Sequence, residues 1–242
     1  DLKMNKHKNY HMYGILAIII LILLVIFFSL YIGRNTNGSS ASKQSPPASS
    51  PVTDIIKDAG DDTEVTAYLE EQDTIIYDML KNMRVKESGS AELDFLISMI
   101  PHYEASVDMS KNYLIYGGKN KKLKELASEI IDEHLEEIED MQELIKEIQK
   151  HDITDKEKEK KYLNVYNKII STHQHIPDET DASSNVEKAY IEGMVIHHQM
   201  ASDMAETILK YSSNREICNI AEDIFEMQKE EISQMEEIFN DM

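Results

Sequence analysis

Six methionines, four histidines and two glutamates in this chain fall at helical spacing, and the pattern occurs twice. Residues 95–109 read FLISMIPHYEASVDM and residues 190–204 read YIEGMVIHHQMASDM. Met99 and Met194, His102 and His197, and Met109 and Met204 each stand 95 positions apart. A second match follows at an offset of 94, where His134, Glu137 and Met141 recur as Gln228, Glu231 and Met235. The chemistry of these residue types is metal binding. Thioether sulfur is a soft, neutral ligand that suits Cu(I), and Ag(I) by the same softness; imidazole also takes Cu(II). Neither donor does much for Mg or Ca.

Helices are the elements that bring these donors into line. Phe95, Met99, His102, Ser106, Met109 and Tyr113 step by three or four residues and form one stripe of a helix. Tyr190, Met194, His197, Ala201, Met204 and Ile208 form its copy, and His198 adds a second imidazole one turn from Met194. On the partner helices the stripes are Ala127, Ile130, His134, Glu137, Met141 and Ile145, then Ala221, Ile224, Gln228, Glu231, Met235 and Phe239. A carboxylate inside an apolar stripe costs several kcal/mol unless it is paired or meets a cation. Little basic charge stands nearby in sequence, so a histidine or a metal is the natural partner of Glu137 and Glu231. A di-iron carboxylate bundle would carry Glu-x-x-His on two helices. This chain has Met99-x-x-His102 and Met194-x-x-His197 there and no Glu-x-x-His, which disfavours a ferritin-type oxidase.

A bland reading competes with the metal reading. Methionine stripes are commonly core, and a core histidine is commonly hydrogen-bonded. Repetition of Met, His and Met favours ligands, although shared packing would also retain them. Met79 and Met83 could face the first copy but suit the core, and His173-x-His175 reads as a solvated loop pair. Tyr103 stands where the second copy has His198, which makes the first copy the poorer site.

Composition narrows the partners. Forty-five acidic against 25 basic residues give a formal net charge of −20, which repels nucleic acid and anionic lipid and favours cations. Eight glycines, five prolines and no tryptophan fit an all-α protein. The single cysteine, Cys218, excludes an intramolecular disulfide and a Cys-based zinc motif, and its apolar neighbours suggest a small core residue. No nucleophile with an adjacent base, phosphate loop or catalytic dyad is apparent.

Five segments follow from these patterns. Residues 1–12, with Lys3, Lys6 and Lys8, read as a cytoplasmic N-terminus, and residues 13–33 as an uncleaved transmembrane anchor. Residues 34–61 read as a Ser/Pro-rich linker, residues 62–150 as repeat 1 and residues 151–242 as repeat 2 of one domain outside the cytoplasm. Helices are predicted from about Asp61 to Ser88, Glu92 to Tyr116, Asn120 to Lys150, Lys156 to Thr172, Asn185 to Tyr211, and Ser213 or Asn214 to the C-terminus. His173 to Ser184 reads as a loop.

These residues resemble the DUF305 family, a ferritin-like, often duplicated helical domain of bacterial envelope proteins. The family hallmark is a phenylalanine, then Met-Ile-Pro-His-His, a small residue and a Met-Ala pair. It stands here as Phe95, Met99-Ile100-Pro101-His102-Tyr103 and Met109-Ser110, and again as Met194-Val195-Ile196-His197-His198 and Met204-Ala205. The chain departs from it at Tyr103 and at His134, where His-His and Gln are usual. The resemblance implies an exported four-helix-bundle core and copper binding, as described for some members linked to copper tolerance.

The expectation is therefore an all-α, ferritin-like four-helix bundle built from two tandem repeats behind a membrane helix, binding copper for sequestration or handover. Met194, His197, His198 and Met204 are its leading ligands, followed by Met99, His102 and Met109. His134, Met141 and Met235 complete the set, with Glu137 and Glu231 as outer ligands or as acceptors that fix an imidazole tautomer. The alternatives are a non-metal envelope module whose acidic faces meet a second copy or another envelope protein, and a redox enzyme using the same residues.

Overall fold

The two helices richest in apolar residues lie inside the bundle, and the strongly amphipathic ones pack against them. The structure is a computed structural model that describes residues 55–151, 153–173 and 185–242, with side chains from Thr63 onward. It contains helices α1 (Ile55–Asn82), α2 (Ala91–Tyr116), α3 (Lys121–Ile148), α4 (Lys156–His173), α5 (Val186–Leu209) and α6 (Arg215–Asn240). No strand occurs among the described residues. The all-α helical bundle expected from the sequence is the observed architecture.

α2 and α5 are buried on nearly all sides. α3 and α6 bury one stripe each, Leu123, Ala127, Ile130 and His134 on the first and Ile217, Ala221, Ile224 and Gln228 on the second, and expose glutamates on the other side. Within each repeat the apolar helix packs on its amphipathic partner, α2 on α3 and α5 on α6, and the repeats meet where α2 packs against α5. α1 lies against α2, and α4 against α5 and α2. α2 and α5 run antiparallel, since contacts move down one helix as they move up the other. Ser106 Oγ reaches Met194 Sδ at 3.7 Å, and Ser110 Oγ lies 2.8 Å from the Tyr190 hydroxyl.

Side-chain caps set the helix starts. Ser90, Asn120, Asn185 and Asn214 each accept from a backbone N–H of the first turn, a contact worth about 1 kcal/mol in typical proteins. Ser90 and Asn185 are themselves 95 positions apart, so the repeat extends into the caps. So are Glu92 and Glu187, which tie the repeats together reciprocally. Glu187 accepts from the backbone N–H groups of Gly118 and Lys119 in the α2–α3 turn. Glu92 accepts from Ser212 in the α5–α6 turn and pairs with Lys158 at 2.6 Å. Gly117 is required at the end of α2 because a Cβ there would fall 2.2 Å from the Tyr113 ring.

Several expectations are corrected. α1 begins at Ile55 rather than near Asp61 and ends at Asn82, well before Ser88. Cys218 is half-buried, its thiol donating to the Ser212 carbonyl, rather than a core residue. Ile238 takes the buried place expected of Phe239, which is only half-buried. The anchor at 13–33, most of the linker and His175 lie outside the described residues. No described helix is long and apolar enough to cross a membrane.

Candidate metal centre

The antiparallel pairing of α2 and α5 places the two hallmark histidines face to face. The His102 and His197 rings meet with centroids 3.7 Å apart, tilted by 32°, and His197 Nε2 lies 3.1 Å from the His102 carbonyl oxygen. The His198 ring lies 5.8 Å from that of His197 and 5.9 Å from that of His134. Tyr103 in turn packs 4.4 Å from the His134 ring. Four imidazoles from three helices thus form one buried row, and His102, His134 and His198 are wholly inaccessible.

Two glutamates and a glutamine close the row. His198 Nε2 and Glu231 Oε2 are 2.8 Å apart but misaligned for a hydrogen bond. Gln228 Nε2 lies 3.4 Å from His134 Nε2. The sequence marked Gln228 as the repeat counterpart of His134, and only the fold shows that the two touch. Burial and then the charges of Glu137 and Glu231 push the Tyr103 phenol well above its usual range.

His102, His197 and His134 are held neutral. Burial, then His198 and His134, keep His102 well below the ordinary imidazole range. Burial, then His102, His198 and His134, do the same for His197. Burial is also the main reason that His134 falls to about 4. A neutral imidazole keeps one nitrogen lone pair, the form a metal needs. Burial opposes the charge of Glu231, but His198 and then His134 outweigh it and hold the carboxyl below its ordinary range. Burial and then repulsion from Glu231 and Glu133 push Glu137 up to about 8.

The ring nitrogens are poorly satisfied. Both nitrogens of His102, and Nδ1 of His197 and of His198, are buried without a hydrogen-bond partner. A buried polar atom left unpaired costs about 1–3 kcal/mol, so this arrangement is expensive as bare protein.

Methionines flank the row on both sides. Met99, Met141 and Met204 belong to one apolar cluster, together with Met79 and Met83. Met109, Met194 and Met235 belong to the other. Each group draws on both repeats. Met194 and Met204, placed together by the sequence, sit about 15 Å apart along α5 at ~1.5 Å per residue. One ion cannot take both. The fold instead gathers Met204 into the cluster of Met99 and Met141, and Met194 into that of Met109 and Met235. Glu231 is nearly fully buried, and Glu137 is half-buried with its Oε2 buried and without a hydrogen-bond partner. Among the described residues no three His, Cys, Asp or Glu side chains already converge on a point that would hold a metal ion.

The family model described as domain of unknown function (DUF305) matches residues 58–145 and 92–239. The chain belongs to the DUF305 family. Among solved structures it is similar to CopM in the Cu(I)-bound form, with 24% identity and a TM-score of 0.46 over 62% of this chain and 96% of that one. CopM in the Ag-bound form, obtained by soaking, gives 25% identity, the same TM-score, and 62% and 95% coverage. A DUF305 fragment from Deinococcus radiodurans gives 18% identity and a TM-score of 0.44 over 63% and 97% of the two chains. No curated protein matches the chain. In this DUF305 chain Tyr103 and His134, which differ from their repeat counterparts His198 and Gln228, fall side by side in the histidine row.

Proposed function

We propose that this DUF305 protein binds copper as Cu(I) through its buried histidines and methionines, for sequestration or handover rather than catalysis. The observation that carries the reading is the set of buried and unpartnered imidazole nitrogens of His102, His197 and His198, flanked on both sides by methionine. A soft monovalent ion is the partner such a set lacks: it satisfies the nitrogens, accepts thioethers, and brings little charge into an apolar interior. His197, His198 and His102 would hold it, with Met204, Met99 and Met141 on one side or Met194, Met109 and Met235 on the other. Glu231 would orient His198, as carboxylates beside metal-binding imidazoles do.

The apolar run at residues 13–33 supports a further part of the reading, that the domain is held at a membrane outside the cytoplasm. A non-metal interaction module is the competing account, favoured by the absence of a converged His, Cys, Asp or Glu cluster among the described residues.

Titration of the full chain with Cu(I) against a competing chelator separates the two. The wild type is expected to bind tightly and the His197→Ala/His198→Ala variant to bind at least 100-fold more weakly, a loss of about 2.7 kcal/mol. No competition by a folded wild type sinks the copper reading.

A further inference from the structure

Several carboxylates outside the histidine row line one cleft beside it. α3 and α6 approach each other sparsely and leave a cleft of about 470 Å³. Its walls carry Glu129, Glu133, Glu136 and Asp140 from α3 and Glu226 and Glu230 from α6, and none of its lining residues is Lys, Arg or His. None of these six forms an ion pair with Lys or Arg among the described residues. Burial and then repulsion from Glu231, Glu129, Glu230 and Glu136 push Glu133 above its ordinary range, so the walls are close enough to feel one another.

The cleft also has a ligand-seeking floor. Glu231 lines it while only 4% exposed, and its Oε1 is buried without a hydrogen-bond partner. The other oxygen of the same carboxylate faces His198 Nε2. One side chain is thus both the bottom of the acidic cleft and the wall of the histidine row.

We infer that the α3–α6 cleft is the vestibule through which a cation reaches the histidine row, with Glu231 as the relay to His198. The inference rests on the copper reading. A cleft of one charge sign raises the local concentration of counter-ions and their association rate by about 10–10³-fold, and salt removes the effect. The wall carboxylates do not converge on a chelate, so they act on the rate of arrival. Affinity belongs to the softer donors below.

Stopped-flow mixing of the full chain with silver nitrate, followed by tyrosine fluorescence in nitrate buffers, tests the vestibule. The wild-type association rate is expected to fall at least about tenfold between roughly 10 and 300 mM salt. A Glu129→Gln/Glu133→Gln/Glu136→Gln/Glu230→Gln variant should associate about tenfold more slowly at low salt, with a flattened salt dependence and an equilibrium Kd within about twofold of wild type. A matched control, Glu64→Gln/Glu70→Gln/Glu71→Gln/Asp73→Asn on exposed positions of α1, should keep the wild-type rate. Wild-type kinetics in the cleft variant, with tight binding kept, overturn the vestibule and leave the metal reading standing. Equal slowing by the control assigns the effect to overall charge and overturns it too. A cleft variant that loses affinity makes the cleft a binding site instead of a passage. A folded wild type that binds no silver overturns the vestibule and the soft-metal reading together.

Discussion

The two repeats contribute unequally to the histidine row, and the inequality is complementary. The second repeat supplies adjacent imidazoles, His197 and His198, and a glutamine, Gln228. The first supplies His102, then Tyr103 in place of the second imidazole, and His134 in place of the glutamine. Each alone would be a different half-site. Folded, Tyr103 packs on His134 at 4.4 Å, and Gln228 reaches His134 from the other repeat at 3.4 Å. The imidazole missing at position 103 is restored at 134. What the duplication keeps constant is the content of the joined centre, not of each copy.

The largest effect expected from that comparison concerns whether there is one centre or two. The His102 and His197 rings are in contact at 3.7 Å, so His102→Ala should weaken the tightest soft-metal binding by about 30-fold or more, close to the loss in His197→Ala. The double variant should lose much less than the two losses combined, because residues in contact are not additive. Ag(I) competition titrations on the four proteins give the coupling. Additive losses, or a full-strength class of sites surviving either single change, would divide the centre into independent halves.

A second contrast lies at the entrances of the equivalent helices. Copy one buries Asp94, and its counterpart in copy two is Ala189. Burial, with a hydrogen bond and charge from Glu159 outweighing the Ser88 contacts, raises Asp94 to about 6 from its ordinary 3.8. The folded state therefore favours the protonated carboxyl. That contribution is fully present below about pH 3.8 and is lost as pH rises through about 6. Asp94→Asn keeps a neutral group able to accept from the Ser88 N–H. Urea unfolding should show nearly equal stabilities at pH 4, and the variant ahead by about 2 kcal/mol at pH 7.5. A difference that stays constant with pH would show that Asp94 is ionised alike in both states.

How much of this was legible in the sequence depends on the kind of contact. The Met/His stripes, the helix starts at Asn120 and Asn185 and the bundle class all follow from local spacing, which a helix converts directly into a face. The antiparallel meeting of α2 with α5 does not, because no periodicity within one helix states which residue of another it will face. The separation of Met194 and Met204, about 15 Å along one helix at ~1.5 Å per residue, is itself local and argues against one ligand pair; what the sequence does not state is that Met204 joins Met99 and Met141 while Met194 joins Met109 and Met235. The reciprocal Glu92 and Glu187 ties do carry a signal in the sequence, two acids standing at the hallmark's own offset of 95. The acidic cleft was invisible for another reason: its walls come from α3 and α6, about ninety residues apart in sequence, and each taken alone is an ordinary solvated helix face.

The smallest effect is the sharpest test of complementarity. Tyr103→His/His134→Gln gives the first repeat the second repeat's residues and leaves the total of four imidazoles in the row unchanged. His134→Gln alone removes one imidazole and should lower Ag(I) affinity by about tenfold, or 1.4 kcal/mol. The double exchange should return it to within about threefold of wild type, a difference below 0.7 kcal/mol. The reason is geometric. Residue 103 already lies against residue 134, so moving the ring from one to the other displaces it by no more than a ring contact, inside the same dry pocket. Recovery would mean that the centre counts imidazoles in a volume shared by both copies. A double variant as weak as His134→Gln would mean that the position of the His134 nitrogen against Gln228 is the decisive property, and the complementarity of the two repeats would then be a packing coincidence.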